Sequence, residues 1–263
     1  MRIRYAVLSP ITLLAAFSGA AAPTPYELSP LPGDAQDKLF RTQAEVNETG
    51  RRVLEHYADN KLATLGFLDV TKAPYQARGD GVSDDTAALQ RALKDARDAR
   101  LVVWLPGGTY LVRDTLQCVQ GGIGWRADAE SEKVADPAST PMRPRDEDQL
   151  TAWDWPCVVQ GASGPKRAVI RLAADAKGFD DPARPKPVIF IWARNWQPRY
   201  ELQANLSFNH MLIGLDVDIR GHAGAVGVDM QGAQGTAVQD VRIEAEGAFA
   251  GLRGLSGSGG STH

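Results

Sequence analysis

The last third of the chain repeats itself, and this constrains the fold more than any other feature. Asp216-Val217-Asp218-Ile219 returns as Asp240-Val241-Arg242-Ile243, and Gly227-Val228 returns as Gly251-Leu252, both at an offset of 24 residues. Gly232-Ala233-Gln234-Gly235 returns as Gly257-Ser258-Gly259-Gly260 at an offset of 25. A short strand followed by a glycine turn cannot bury its apolar side alone, so copies with this period must stack into a solenoid. The same alignment sets Ser261-Thr262-His263 against Thr236-Ala237-Val238, so the chain is expected to stop in mid-coil, before any terminal cap.

The upstream sequence fits the same architecture. Phe67 to Val70, Leu101 to Pro106, Thr109 to Val112, Cys157 to Gln160, Ala168 to Leu172 and Val188 to Ile191 read as short strands between glycine and proline turns. One helix interrupts them. Gly79 and Gly81 suit a tight turn, Ser83, Asp84 or Asp85 suits its N-cap, and Ala88, Leu89, Ala92, Leu93 and Ala96 form an apolar stripe.

Composition narrows the class. Of 263 residues, 26 are glycine and 16 proline, which favours turns over long helices, and the net charge of −3 gives no basic footprint for nucleic acid or a membrane surface. Residues 1–22 read as a signal peptide: Arg2 and Arg4, an apolar stretch to Phe17, then Gly19-Ala20-Ala21-Ala22. Secreted or periplasmic localisation follows as an expectation. Residues 23–65 read as a partly helical N-terminal extension, and residues 66–263 as the solenoid, incomplete at its C-terminal end. Cys118 and Cys157 are the two cysteines. They either form a disulfide, worth about 3–4 kcal/mol by loop closure, or stay separate buried thiols. Their spacing gives no zinc pattern.

Two motifs carry a resemblance. Gly79-Asp80-Gly81-Val82-Ser83-Asp84-Asp85-Thr86-Ala87-Ala88-Leu89-Gln90 and Leu105-Pro106-Gly107-Gly108-Thr109-Tyr110 resemble the signature of the rhamnogalacturonase/epimerase-like branch of the pectate-lyase superfamily. The resemblance implies an all-β fold, a right-handed parallel β-helix whose N-terminal end is capped by the helix. It also implies secreted carbohydrate chemistry: a glycoside hydrolase or polysaccharide lyase, with a polysaccharide as partner. The ordered catalytic motifs of polygalacturonase-type members are missing, which argues against pectin hydrolysis. A non-catalytic carbohydrate-binding or adhesin-like solenoid is the alternative.

Candidate site residues follow from strand alternation. Leu215, Val217 and Ile219 point inward, while Asp216, Asp218 and Arg220 point outward. At an offset of 24, Asp240, Arg242 and Glu244 stack on them about 4.8 Å away. The Asp218/Arg242 and Arg220/Glu244 contacts then form a salt-bridge ladder. Asp216 over Asp240 is unfavourable unless a cation bridges the two or one takes a proton. That pair is the candidate catalytic dyad, with Asp218, Glu244 and His222 as alternates. No cofactor is required, although Asp216 and Asp240 would be the ligands if Ca²⁺ were used. His222 is expected as an exposed residue at a strand end. Trp153, Trp155, Trp192, Arg194 and Trp196, in loops, and Arg220 and Arg242, on strands, are the candidate substrate contacts. Aromatic rings stack on sugars and guanidiniums pair with uronate carboxylates. The same tryptophans could equally staple loops to the solenoid.

Overall fold

The computed structural model describes residues 59–120, 156–193, 207–254 and 257–262. The expected signal peptide, most of the expected N-terminal extension, and Trp153, Trp155, Arg194 and Trp196 lie outside the described residues. The described chain opens with a short 3-10 helix, Lys61–Leu65.

The strands come in triplets. A partial first coil holds β1 (Phe67–Asp69) and β2 (Asp80–Asp84), followed by α1 (Thr86–Ala99). The next coil is β3 (Val102–Leu105), β4 (Gly108–Val112) and β5 (Leu116–Gln120), and the one after is β6 (Val158–Gly161), β7 (Ala168–Leu172) and β8 (Lys186–Ala193). Then come β9 (Met211–Ile213), β10 (Leu215–Asp218) and β11 (Ala225–Met230), then β12 (Ala237–Gln239), β13 (Arg242–Glu244) and β14 (Ala250–Arg253), and finally β15 (Ser261–Thr262). Each strand pairs in parallel with its counterpart one coil away. The result is three sheets in the orders β1-β3-β6-β9-β12-β15, β13-β10-β7-β4-β2 and β14-β11-β8-β5. This is the parallel β-helix that the repeat demands.

Alternation fills the interior. Val103 and Leu105, Tyr110 and Val112, Ile170 and Leu172, and Val217 all reach the shared core. Burying a side chain of this size stabilises by about 1.5–3 kcal/mol. α1 lays Leu89, Ala92, Leu93 and Ala96 against the same core and closes its N-terminal end. A Leu89→Ala change there would cost about 2–5 kcal/mol.

Among the described residues no strand precedes the first strand of each sheet, and side chains make hydrogen bonds to the backbone at these starts. Asn60 donates to the Asp69 carbonyl at 2.9 Å and accepts the Asp69 N–H at 3.1 Å. Gln90 of α1 treats Gln117 of β5 in the same way, both bonds being 2.8 Å. Asp85 sits at the N-cap position, but its carboxylate turns back to accept the N–H groups of Arg78 and Gly79, at 2.6 and 3.0 Å. It therefore ties β2 down rather than capping α1. Asp84 accepts the Thr86 N–H instead, at 3.0 Å.

Cys118 and Cys157 form the disulfide, 39 residues apart with a Cα–Cα distance of 6.1 Å. It joins the middle of β5 to the residue just before β6. Loop closure of this length is worth about 4 kcal/mol. His210 fills the adjacent rung, and its Nδ1 accepts the Cys157 N–H at 2.9 Å. Burial drives its ionisation down from 6.5 to about 3, so the ring is neutral.

The stacking register differs from the 24-residue alignment where it matters for the site. In the second sheet, Asp216 pairs with Arg242, Val217 with Ile243 and Asp218 with Glu244, an offset of 26. In the third sheet, Val228 pairs with Leu252, an offset of 24. The connection from β13 to β14 is two residues shorter than that from β10 to β11, and this absorbs the difference. At the coil's end Ala237 pairs with Ser261, so Ser261 lies over Ala237 and not Thr236. A slip of two keeps every inward residue inward, so the core pattern survives while the outward neighbours change.

Candidate functional site: the charged face of the second sheet

β7, β10 and β13 carry the site on their outer face. Their inward residues, among them Ile170, Val217 and Ile243, fix which residues face out: Arg171, Asp216, Asp218, Arg242 and Glu244. The expected Asp216/Asp240 rung does not form, because Arg242 takes that place. Asp240 instead occupies the corner between β12 and β13, equivalent to Gly214, at φ 51° against 67°. Aspartate is one of the few residues that tolerate this left-handed geometry.

Even so, the corner brings Asp240 and Asp216 to one partner. Arg167 donates from Nε to Asp216 at 2.8 Å, and from Nη1 to the Asp240 carboxylate at 2.9 Å. Its Nη2 reaches the Asp240 carbonyl at 2.7 Å. The cation that reconciles the two carboxylates is therefore a guanidinium. Its own ionisation is pushed up, first by Asp240 and then by Asp216.

At the other end of β10 the stoichiometry inverts. Asp218 accepts Nε of Arg171 at 3.1 Å. It also accepts Nε and Nη2 of Arg220 at 2.9 and 2.8 Å, a fork-on-fork pair. These contacts, Arg220 above all, hold its carboxyl down at about 2 against the opposing effect of burial. Arg220 is raised in turn by Asp218, with smaller contributions from Glu244 and Glu246. Asp218 is thus ionised throughout the physiological range and cannot serve as a general acid. The Arg171 and Arg220 side chains remain 44% and 52% exposed, so guanidinium edges face solvent. The expected Asp218/Arg242 and Arg220/Glu244 contacts are replaced by Asp218/Arg220 and by Arg242/Glu244.

His222 stands in the turn after β10. It is buried, at 4% exposure, and not the exposed strand-end histidine expected. Its Nδ1 lies 3.1 Å from Asp180 Oδ1, and its Nε2 has no hydrogen-bond partner among the described residues. Asp180 belongs to the same corner one coil earlier, after β7.

Trp192 is not in a loop. It lies on β8, pointing out from the third sheet, 2% exposed and stacked on Phe190 with centroids 5.6 Å apart. The same face buries Asp229, whose Oδ2 accepts Arg253 Nε at 3.0 Å and whose carboxyl burial pushes up to about 6. Among the described residues no three His, Cys, Asp or Glu side chains converge as a metal site.

Sequence reasoning missed Arg167, Arg171 and Asp180. β7 lies 47 residues before β10 in register. The longer stretch between β8 and β9, which includes residues 194–206, and a β7-to-β8 connection eight residues longer than that from β10 to β11 hide that coil from a 24-residue repeat. The one available signal was the alternation in Ile170-Arg171-Leu172, which puts an arginine outward on an otherwise apolar strand.

Residues 70–121 match the model of the family described as rhamnogalacturonase A/epimerase, pectate lyase-like. This covers both sequence motifs. A 47-residue stretch is 45% identical to the non-secreted LysM effector LysM19 of Penicillium expansum, spanning 18% of this chain and 4% of that protein. Among solved structures, the chain is similar to the pre-mature bacteriophage phi29 gene product 12, with 17% identity and TM-score 0.42, over 80% of this chain and 23% of that one. It is also similar to the A-module of the mannuronan C-5 epimerase AlgE6 of Azotobacter vinelandii, with 17% identity and TM-score 0.33, over 72% of this chain and 49% of that one. The chain spans less than half the length of each of these proteins.

Proposed function

We propose that this chain is the polysaccharide-active part of a secreted or periplasmic enzyme acting on an acidic polysaccharide, by elimination rather than hydrolysis. Two guanidiniums sharing one carboxylate carry this assignment. Arg171 and Arg220 together carry one more charge than Asp218; Glu244 and Glu246 act on Arg220 only as smaller contributions, and both arginine side chains reach solvent. A uronate carboxylate is the sugar group that such a site recognises. Neutralising it also acidifies the hydrogen on the adjacent carbon. His222, two residues beyond Arg220, takes that proton from its Nε2 side. The electron pair left on carbon then expels the glycosidic oxygen from the next carbon, giving an unsaturated end and an alkoxide that takes a proton from water to become a free hydroxyl.

Hydrolysis needs a carboxylic acid beside a second carboxylate. On this face Asp218 is held at about 2 and Asp216 and Asp240 share Arg167. In this scheme the Asp216/Asp240 pair has a structural role, Ca²⁺ is not needed, and Arg242 lies at the rim. The matched family's description and the N-terminal signal pattern are consistent with it.

A second reading, a non-catalytic carbohydrate-binding solenoid, is favoured by one observation: Asp216, Asp218, Asp240 and Glu244 all have arginine partners. Incubating the full chain with polyuronates and neutral polysaccharides, followed by mass spectrometry, separates the two. Dehydrated, unsaturated products from a polyuronate are expected. Products carrying added water would contradict elimination, and binding without products would favour the second reading.

A further inference from the structure

We infer that Asp180 is a positioning residue for His222: its carboxylate holds the proton on Nδ1 and so leaves Nε2 as the basic nitrogen. This rests on the function proposed above, where His222 takes the proton.

The geometry is specific. Asp180 Oδ1 is 3.1 Å from Nδ1, and a carboxylate accepts, so the ring nitrogen facing it donates. In the neutral imidazole the other nitrogen is then an acceptor. Asp180 is itself exposed, at 71%, and the ring is not, at 5%, so the carboxylate keeps its hydration while the imidazole is shielded.

The two turns that carry the pair are locked together. Gly224 donates its N–H to the Phe179 carbonyl at 2.7 Å, and its own carbonyl accepts the Lys186 N–H at 2.9 Å. Gly224 sits so close to Asp181 that a Cβ would lie 2.5 Å from that residue's carbonyl oxygen, so only glycine fits. The His222 carbonyl accepts the Ala225 N–H at 2.9 Å, and Gly221 donates to Glu246 of the next coil at 3.0 Å. The backbones on both sides of the hydrogen bond are therefore fixed. Asp181, the neighbouring carboxylate, is occupied by Arg184 at 2.9 Å. That leaves Asp180 to the histidine.

The test uses the full chain labelled with ¹⁵N-histidine. Long-range ¹H–¹⁵N spectra distinguish the two neutral tautomers, and His222→Gln identifies the His222 signals. The wild-type ring is expected as the Nδ1–H tautomer. Asp180→Ala should shift it toward Nε2–H, and Asp180→Glu should restore it. On a polyuronate, Asp180→Ala should lower kcat about 10- to 100-fold with KM changed less than about twofold, and Asp180→Glu should recover part of the loss. An Nε2–H ring in the wild type, or an unchanged tautomer in Asp180→Ala, would overturn the inference. An unchanged kcat in Asp180→Ala would overturn it equally. Absence of turnover by the wild-type chain on every polysaccharide overturns the proposed function instead. In that case the tautomer and its loss in Asp180→Ala still support the positioning.

Discussion

Strand β10 presents two charged triads made of the same residue types in opposite proportion. At Asp216 one guanidinium, Arg167, serves two carboxylates. At Asp218 two guanidiniums, Arg171 and Arg220, serve one. The strand backbone is the same under both, so the corners decide the sign. The corner before β13 supplies Asp240, and the turn after β10 supplies Arg220. A solenoid can thus set opposite local charge at the two ends of one strand, only a few residues apart, without altering its core. The first triad gathers two carboxylates on one guanidinium, whereas the second leaves two guanidinium edges open to a ligand.

The largest expected contrast is in catalysis. His222→Gln should lower turnover of a polyuronate about 10²- to 10⁴-fold, the usual contribution of a positioned base. Replacing Asp216 and Asp240 together by Asn should leave kcat within about threefold. If the double variant loses activity as fully as His222→Gln, the roles of the two triads must be exchanged.

Stability should run the other way. Arg167→Gln leaves two neighbouring carboxylates without their shared cation and should cost about 1–2 kcal/mol, visible as a lower urea midpoint. Arg171→Gln leaves Asp218 its two bonds from Arg220 and should cost under about 0.5 kcal/mol. Equal losses would show that the triads do not differ as described.

Acid titration separates the interior from the Asp218 triad. The folded-state ionisation of His210 lies below the unfolded value, from 6.5 down to about 3, so its contribution to stability is present above pH 6.5 and lost as pH falls toward 3. Asp229 is raised from 3.8 to about 6, so its contribution is present below pH 3.8 and lost as pH rises through 6. The two slopes oppose each other between about pH 6 and 4. His210→Gln should therefore gain stability relative to wild type on acidification through that window, by up to about 1.4 kcal/mol per pH unit. Asp218, depressed from 3.8 to about 2, contributes above pH 3.8 and loses that contribution only as pH falls toward 2. Parallel curves for wild type and His210→Gln would contradict the buried neutral ring.

How much of this was legible in the sequence depends on which residue is asked about. Leu215, Val217 and Ile219 announced the core face, and the 24-residue period announced the solenoid. Cys118 and Cys157 had the disulfide as one of two readings. The pairing of Asp216 with Arg242 was not legible, because a corner shortened by two residues shifts the register without disturbing the apolar pattern. Arg167, Arg171 and Asp180 come from a coil whose period is obscured by residues 194–206 and by the longer β7-to-β8 connection, so the 24-residue alignment did not set them beside β10. Period-2 alternation places Trp192 outward, but whether that face is covered depends on distant chain that local pattern does not encode. His222 looked exposed for the same reason.

The most direct test of the difference between the triads is polyuronate binding at several salt concentrations, by calorimetry, for wild type, Arg171→Gln/Arg220→Gln and Arg167→Gln. Wild type should bind in a salt-sensitive way, with binding weakened about 10- to 100-fold in the double variant and changed less than about threefold in Arg167→Gln. Equal weakening in both variants, or unchanged binding in the double variant, would contradict it.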